Sequence, residues 1–165
     1  MSADKITRRS LVRAALAASA MPLLAKAQER TLNSHQEPTD MRVRFSFAGR
    51  TMTATLHDSP SARDFYSMLP LDLIIQDFGG NEKIAHLPRK LTEQGSGPFG
   101  NEQPYDLCYY VPWGNLAMFH ADYRHPDLIR LGRFDEGREA LHVAGQFPLR
   151  IEIASPPAPT DRKLP

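Results

Sequence analysis

The chain has 165 residues, of which 41% are hydrophobic and 24% charged, a length and composition typical of one globular domain. Residues 1–27 carry five basic side chains and one acidic side chain, so the formal net charge of +1 divides into +4 for this segment and −3 for the remainder. A charge near −3 leaves no positive excess for phosphates, which argues against nucleic acid as a partner. The single cysteine, Cys108, excludes an intramolecular disulfide, and its apolar neighbours predict a buried thiol.

The N-terminal segment has the features of a twin-arginine signal peptide. Arg8 and Arg9 follow a polar residue, an apolar stretch then extends to Leu24, and the sequence Ala-Lys-Ala ends at Ala27. We predict cleavage between Ala27 and Gln28, with the twin-arginine translocase and signal peptidase as partners during export and a periplasmic or secreted product. The apolar stretch is shorter than the roughly 20 residues of a transmembrane helix, so no stable membrane span is predicted.

The remainder divides by composition into three parts. Residues 28–40 are polar without periodicity and are predicted to be a flexible linker. Residues 41–154 form the predicted folded domain. Residues 155–165 contain four prolines and are predicted to be a disordered tail.

Alternating apolar and polar residues predict most of the folded domain to be strand. The predicted strands are 41–47, 51–56, 71–78, 82–87, 107–111, 116–119, 129–134 and 147–153. One short helix begins with Ser59 as its cap and Pro60 in its first position and ends before Pro70; a second is predicted over 135–141. With so few helical residues, a closed barrel is favoured because closure removes exposed strand edges.

Three segments carry a resemblance to a known family. Residues 84–91, 109–119 and 131–135 read IAHLPRKL, YYVPWGNLAMF and LGRFD. They resemble the cyclophilin-like domain family of bacteria, divergent relatives of the cyclophilin prolyl isomerases, and the resemblance extends over about residues 41–153. It implies a mainly β fold, a closed eight-stranded cyclophilin-like barrel with two short helices, which agrees with the strand count.

The resemblance does not extend to the isomerase motif. True cyclophilins carry Phe-His-Arg followed by Phe-Met-x-Gln-Gly-Gly, and the arginine lowers a peptide rotation barrier of about 18–20 kcal/mol. Here the one Phe-His pair, Phe119-His120, precedes Ala121, and Arg89 is the residue that could substitute for the arginine. We therefore expect an exported binding module for a peptide or small ligand, without strong catalysis and without a cofactor. The alternative is a weak peptidyl-prolyl cis/trans isomerase that uses Arg89.

The predicted ligand groove is aromatic. Tyr109, Trp113 and Phe119 supply its rings, and Asn115 and Arg89 would orient a ligand. Core packing is the simpler alternative for the tyrosine, whereas Trp113 and Asn115 belong to a Pro-Trp-Gly-Asn turn in which a large ring is hard to bury. The glycine-rich residues 95–100 are interpreted as a flap beside this groove.

Two further groups of side chains carry weaker indications. The histidines within 120–125 fit no zinc-binding spacing, so no metal site is predicted. Asp77 and Glu82 flank a Gly-Gly turn and are interpreted as solvated turn carboxylates, with a catalytic carboxylate pair as the alternative.

Overall fold

The structure is a computed structural model that describes residues 37–94 and 99–155. The predicted signal peptide, its cleavage site, most of the predicted linker, the first four residues of the predicted flap and nearly all of the predicted tail lie outside these residues. In chain order the elements are β1 (Pro38–Phe47), β2 (Arg50–His57), α1 (Pro60–Ser67), β3 (Leu71–Phe78), β4 (Glu82–His86), β5 (Asp106–Tyr110), β6 (Asn115–Phe119), β7 (Leu128–Glu136), a 3-10 helix (Arg138–His142) and β8 (Phe147–Ile153).

The eight strands close into one antiparallel barrel. Their order around the barrel is β1-β2-β7-β5-β6-β4-β3-β8. The first and last strands complete the circle, since Val43 of β1 pairs with Ala54 of β2 on one side and with Ile153 of β8 on the other. The predicted closed eight-stranded barrel is therefore confirmed.

Every second residue of the strands points into a single apolar interior. In β1 these residues are Val43, Phe45 and Phe47, and the ring of Phe45 meets that of Phe134 edge to face at 5.1 Å. In β8 the predicted inward residues Leu149 and Ile151 are buried, whereas the neighbouring polar side chains reach solvent. The alternating apolar residues that predict these strands are therefore the ones that fill the barrel interior.

β1 begins three residues earlier than predicted. The Thr39 hydroxyl accepts a hydrogen bond from the Met41 amide (3.0 Å) and donates one to the Leu56 carbonyl (2.9 Å), and Pro38 pairs with His57 across an irregular register. The prediction that the linker extends to residue 40 is therefore wrong for its last three residues. Their polar composition does not indicate a strand, because the pairing depends on the hydrogen bonds of the Thr39 side chain at a β-bulge.

The first helix is confirmed and the second differs from the prediction. The Ser59 hydroxyl accepts from the Ala62 amide (3.1 Å), and Pro60 opens α1 as expected. The helix predicted over 135–141 is instead the end of β7 followed by a 3-10 helix. Gly137 separates them with φ 66°, a left-handed conformation that interrupts any continuous helix.

Close contact between β2 and β7 requires a glycine at position 132. A Cβ added to Gly132 would lie 2.2 Å from the Thr55 carbonyl oxygen and 2.8 Å from the Leu56 Cα, both backbone atoms. We expect Gly132→Ala to lower the free energy of unfolding by about 2–3 kcal/mol, because the strands must separate. Urea unfolding measures this loss. Gly80→Ala is the matched control, since nothing lies within 4 Å of its added Cβ; equal losses in the two variants would refute the close-packing argument.

Candidate ligand pocket

A pocket of about 230 Å³ lies on the outer wall of the barrel. Its floor is formed by Ile84 of β4 and Ala117 of β6, which are register partners. Glu82 and Phe119, the next outward-facing pair, lie at one end of the floor, and Asn115 lies at the other. In the strand order this wall is opposite the β1–β8 closure.

The outer face of β6 is covered instead of solvated. All five residues of β6 are buried. Its outward side chains Ala117 and Phe119 pack with Cys108 and Leu128 in a second apolar cluster, separate from the barrel interior. Tyr123, from the segment after β6, stacks on the Phe119 ring with centroids 3.6 Å apart and planes 7° apart. The segment around Tyr123 therefore covers the outer face of β6, and the pocket lies between this segment and the sheet.

The rim of the pocket is a series of aromatic rings. The Trp113 ring meets those of Phe78 (5.3 Å, 88°) and Tyr110 (5.4 Å, 81°) edge to face, and Tyr110 meets His125 in the same way (5.0 Å, 87°). Trp113 remains 52% exposed, although its ring contacts those of both Phe78 and Tyr110. Successive perpendicular rings form a curved wall, in contrast to a flat stack.

Two side-chain acceptors at the ends of the floor have no hydrogen bond among the described residues. Asn115 is 1% exposed, and its Nδ2 donates to the Leu116 carbonyl (2.9 Å), which leaves Oδ1 without a hydrogen bond among the described residues. Glu82 is half-buried, and burial raises its pKa from about 4.5 to about 7. Both groups are acceptors that a bound donor could satisfy.

A buried charge cluster around Asp106 fixes Tyr123, one of the residues that line the pocket. Asp106 accepts hydrogen bonds from the Tyr123 hydroxyl (2.7 Å) and the Gln103 amide (3.1 Å), and the guanidinium groups of Arg130 and Arg133 lie 3.6 and 3.2 Å from its oxygens. Tyr123 is thereby fixed at its hydroxyl while its ring lines the pocket. Burial raises the pKa of this hydroxyl well above its ordinary range.

Of the five predicted groove residues, the structure places three at the pocket: Trp113, Asn115 and Phe119. Tyr109 faces the barrel interior, where its hydroxyl accepts from the Leu91 amide (3.3 Å). Its inclusion in the groove does not match this placement, because the alternation along β5 turns Tyr109 inward and Tyr110 outward.

Arg89 also lies away from the pocket. Its two terminal nitrogens bond both oxygens of Asp64 in α1 (2.5 and 3.1 Å), and the Thr92 amide donates to the same carboxylate (2.8 Å). The guanidinium is therefore part of a surface ion pair that ties the segment after β4 to the helix. Its predicted place beside Trp113 is not what the structure shows.

Sequence reasoning missed Glu82 as a pocket residue. The interpretation as a solvated turn carboxylate is wrong for Glu82, which shares the outward face of β4 with Ile84 and lies beneath the cover. Asp77 accepts hydrogen bonds from the buried Lys83 ammonium and from the Gly145 amide (2.6 Å), which hold its pKa below the usual range. Two-residue alternation from Ile84 could have placed Glu82 on the outward face of β4, but it does not show the segment that covers this face.

The remaining chemical groups are accounted for by packing. Cys108 is buried as predicted, and burial raises the pKa of its thiol. No group of three or more potential metal ligands occurs within residues 37–94 and 99–155. In the same part of the chain, no helix is long and apolar enough to cross a membrane.

Fold and pocket together define a closed antiparallel eight-stranded barrel with a small aromatic pocket on its outer wall. The chain belongs to the cyclophilin-like family, whose model matches residues 45–152. A similar solved structure is the solution structure of a hypothetical protein from Archaeoglobus fulgidus, with a TM-score of 0.59 and 17% sequence identity over 72% of this chain and 98% of that one. No curated protein matches the sequence.

Proposed function

We propose that this protein is exported by the twin-arginine route and acts as a binding module for a small molecule or a single peptide side chain. The observation that carries the proposal is the pocket itself, an apolar, aromatic cavity with the buried, unpaired Oδ1 of Asn115 at one end of its floor and the half-buried Glu82 at the other. Apolar walls with a few polar groups are the usual composition of ligand sites. The twin-arginine motif at Arg8 and Arg9 supports export.

The size of the pocket limits the ligand. Its volume of about 230 Å³ is below the roughly 300–1,000 Å³ of pockets for drug-sized molecules. Such a space suits one compact group. A peptide could therefore occupy it with one side chain, while the rest of the peptide crosses the aromatic rim.

The isomerase alternative has less support from this geometry. It requires an arginine that faces a bound prolyl peptide, but both terminal nitrogens of Arg89 are bonded to Asp64. We therefore place the function in binding at the pocket, and we assign no reaction to it.

A fragment screen by ligand-observed NMR on the full chain tests the proposal. We expect fragments that bind the parent protein to bind Trp113→Ala at least about tenfold more weakly, because the variant lacks one wall of the pocket. Ala117→Phe, which fills the floor, should also weaken them.

Ile153→Ala is the matched control. Ile153 is 51% exposed, much like Trp113, but it belongs to β8, at the barrel closure opposite the pocket. Fragments should bind this variant as they bind the parent. If no fragment binds the parent, or if fragments bind both pocket variants unchanged, the pocket is not the binding site.

A further inference from the structure

We propose that the pocket selects an organic cation, a ligand with an ammonium group that Glu82 and the aromatic rim hold together. This inference rests on the proposed binding function and specifies the charge of the ligand. Four observations carry it: the carboxylate without a partner among the described residues, the contacts of the nearby basic groups with other partners, the aromatic rim and the second acceptor.

Glu82 lacks the partner that other partly or fully buried carboxylates of the barrel have. Asp106 is surrounded by two guanidinium groups, and Asp64 is bonded to Arg89. Glu82 has no ion pair or hydrogen bond among residues 37–94 and 99–155. A half-buried carboxylate without a counter-charge is unfavourable when ionised, and a bound cation would supply the missing charge.

The basic groups near the pocket do not neutralise Glu82. Arg124 lines the pocket, but its side chain is 82% exposed and its guanidinium lies 3.9 Å from the Glu102 carboxylate. The His125 Nδ1 accepts a hydrogen bond from the Asp127 amide (3.2 Å). Lys83, the next residue in β4, points to the opposite face of the strand and bonds Asp77.

The aromatic rim suits a positive charge. The rings of Phe78, Trp113 and Tyr110 stand at 81–88° to their neighbours, so they border the pocket in more than one orientation. Ring faces carry negative electrostatic potential and attract ammonium groups by about 0.5–2 kcal/mol each, most strongly for tryptophan. The same rings would give no advantage to an anion.

Asn115 adds a second acceptor at the far end of the floor. Its Nδ2 faces a carbonyl, which can only accept, so the amide orientation is set and Oδ1 is the free atom. Asn115 and Phe119, the register partner of Glu82, are four residues apart in β6, or about 13 Å at the usual rise of a strand. A compact cation would satisfy Glu82 alone; only an elongated ligand, with an ammonium at one end and a hydroxyl or amide N–H at the other, would satisfy both acceptors.

The test compares three molecules of nearly the same shape and different charge on the full chain. They are choline, the uncharged 3,3-dimethylbutan-1-ol and the anionic 3,3-dimethylbutanoate, each titrated by NMR at pH 8. We expect choline to bind at least about tenfold more tightly than the alcohol, and the anion to bind most weakly. Equal binding of the three, or preference for the alcohol or the anion, overturns the proposal.

Two variants connect the preference to the pocket. In Glu82→Gln the ratio of choline to alcohol affinity should fall to within about twofold. Trp113→Leu keeps an apolar side chain without a ring and should lower the same ratio at least about threefold, which provides a test that does not depend on Glu82. A ratio unchanged in both variants contradicts the proposal, and Ile153→Ala should leave it unchanged.

The pH dependence gives a further check. Because burial holds the pKa of Glu82 at about 7, ionisation drops about tenfold between pH 8 and pH 6, and choline affinity should fall by up to the same factor. Glu82→Gln should abolish this dependence; if it persists in that variant, the assignment to Glu82 is wrong. If neutral fragments occupy the pocket without any preference for the cation, only this inference fails. If no molecule binds there, the proposed function fails with it.

Discussion

Replacement of Asp106 by alanine is expected to lower the free energy of unfolding by about 3–5 kcal/mol. Asp106 is fully buried beside Arg130, whose side chain is 5% exposed, and it also receives hydrogen bonds from Tyr123 and Gln103. The variant leaves a buried guanidinium without its counter-charge and two donors without an acceptor. Denaturant unfolding followed by far-UV circular dichroism measures the loss.

The matched control is an ion pair of the same type at the surface. Arg150 bonds Asp72 at 2.6 Å, but the Asp72 side chain is 77% exposed. Solvent screens such a pair, so Asp72→Ala should cost less than about 1 kcal/mol. If the two alanine variants lose similar amounts, burial does not decide the contribution of the Asp106 cluster.

His57 is expected to make the protein less stable as the pH falls from about 6.5 to about 4. It is 6% exposed, and burial, together with the nearby charges of Arg130 and Arg133, lowers its pKa to about 4. Between these pH values His57 is protonated in the unfolded chain but mostly neutral in the folded chain. The free energy of unfolding therefore declines with falling pH. The decline attributable to His57 is about 2–3 kcal/mol by pH 4.5.

His57→Gln removes this contribution. The difference between variant and parent free energies of unfolding should therefore change by about 2–3 kcal/mol between pH 7.5 and pH 4.5. His86→Gln, at an exposed histidine, is the control, and the change for His57→Gln should exceed the change for this variant. A flat difference for His57→Gln would mean that the buried imidazole does not oppose protonation. Because Glu82 titrates in an overlapping range in the opposite sense, the comparison is made as a difference between variant and parent.

The strands were largely predictable because their alternation is strict. β8 has the predicted bounds, 147–153, since Pro148, Arg150 and Glu152 alternate with its apolar side chains. The start of β1 was not predictable in this way, because Pro38 and Thr39 belong to a polar stretch whose pairing depends on a side-chain bridge to β2. Local pattern determines a strand where one face is buried, but it does not show a bulge that depends on a neighbouring strand.

The pocket was predictable only in part, for a related reason. Trp113 and Asn115 were indicated by their turn, where a large ring cannot enter the core. Tyr109 and Tyr110 are adjacent, and the sequence of β5 alone does not decide which of them faces inward. Glu82 became a pocket residue only because the segment around Tyr123 folds over β6. Such a cover is a tertiary contact that no local pattern indicates.

Trp113 is the single tryptophan of the chain, and its position at the rim gives the molecule one optical reporter. Its fluorescence should respond to ring stacking, charge or water at the pocket mouth and be nearly insensitive to the barrel interior, which contains no indole. Quenching by iodide or acrylamide should therefore be relieved when the pocket is filled. A change in emission during unfolding that precedes the loss of β structure would show that the rim opens before the barrel does.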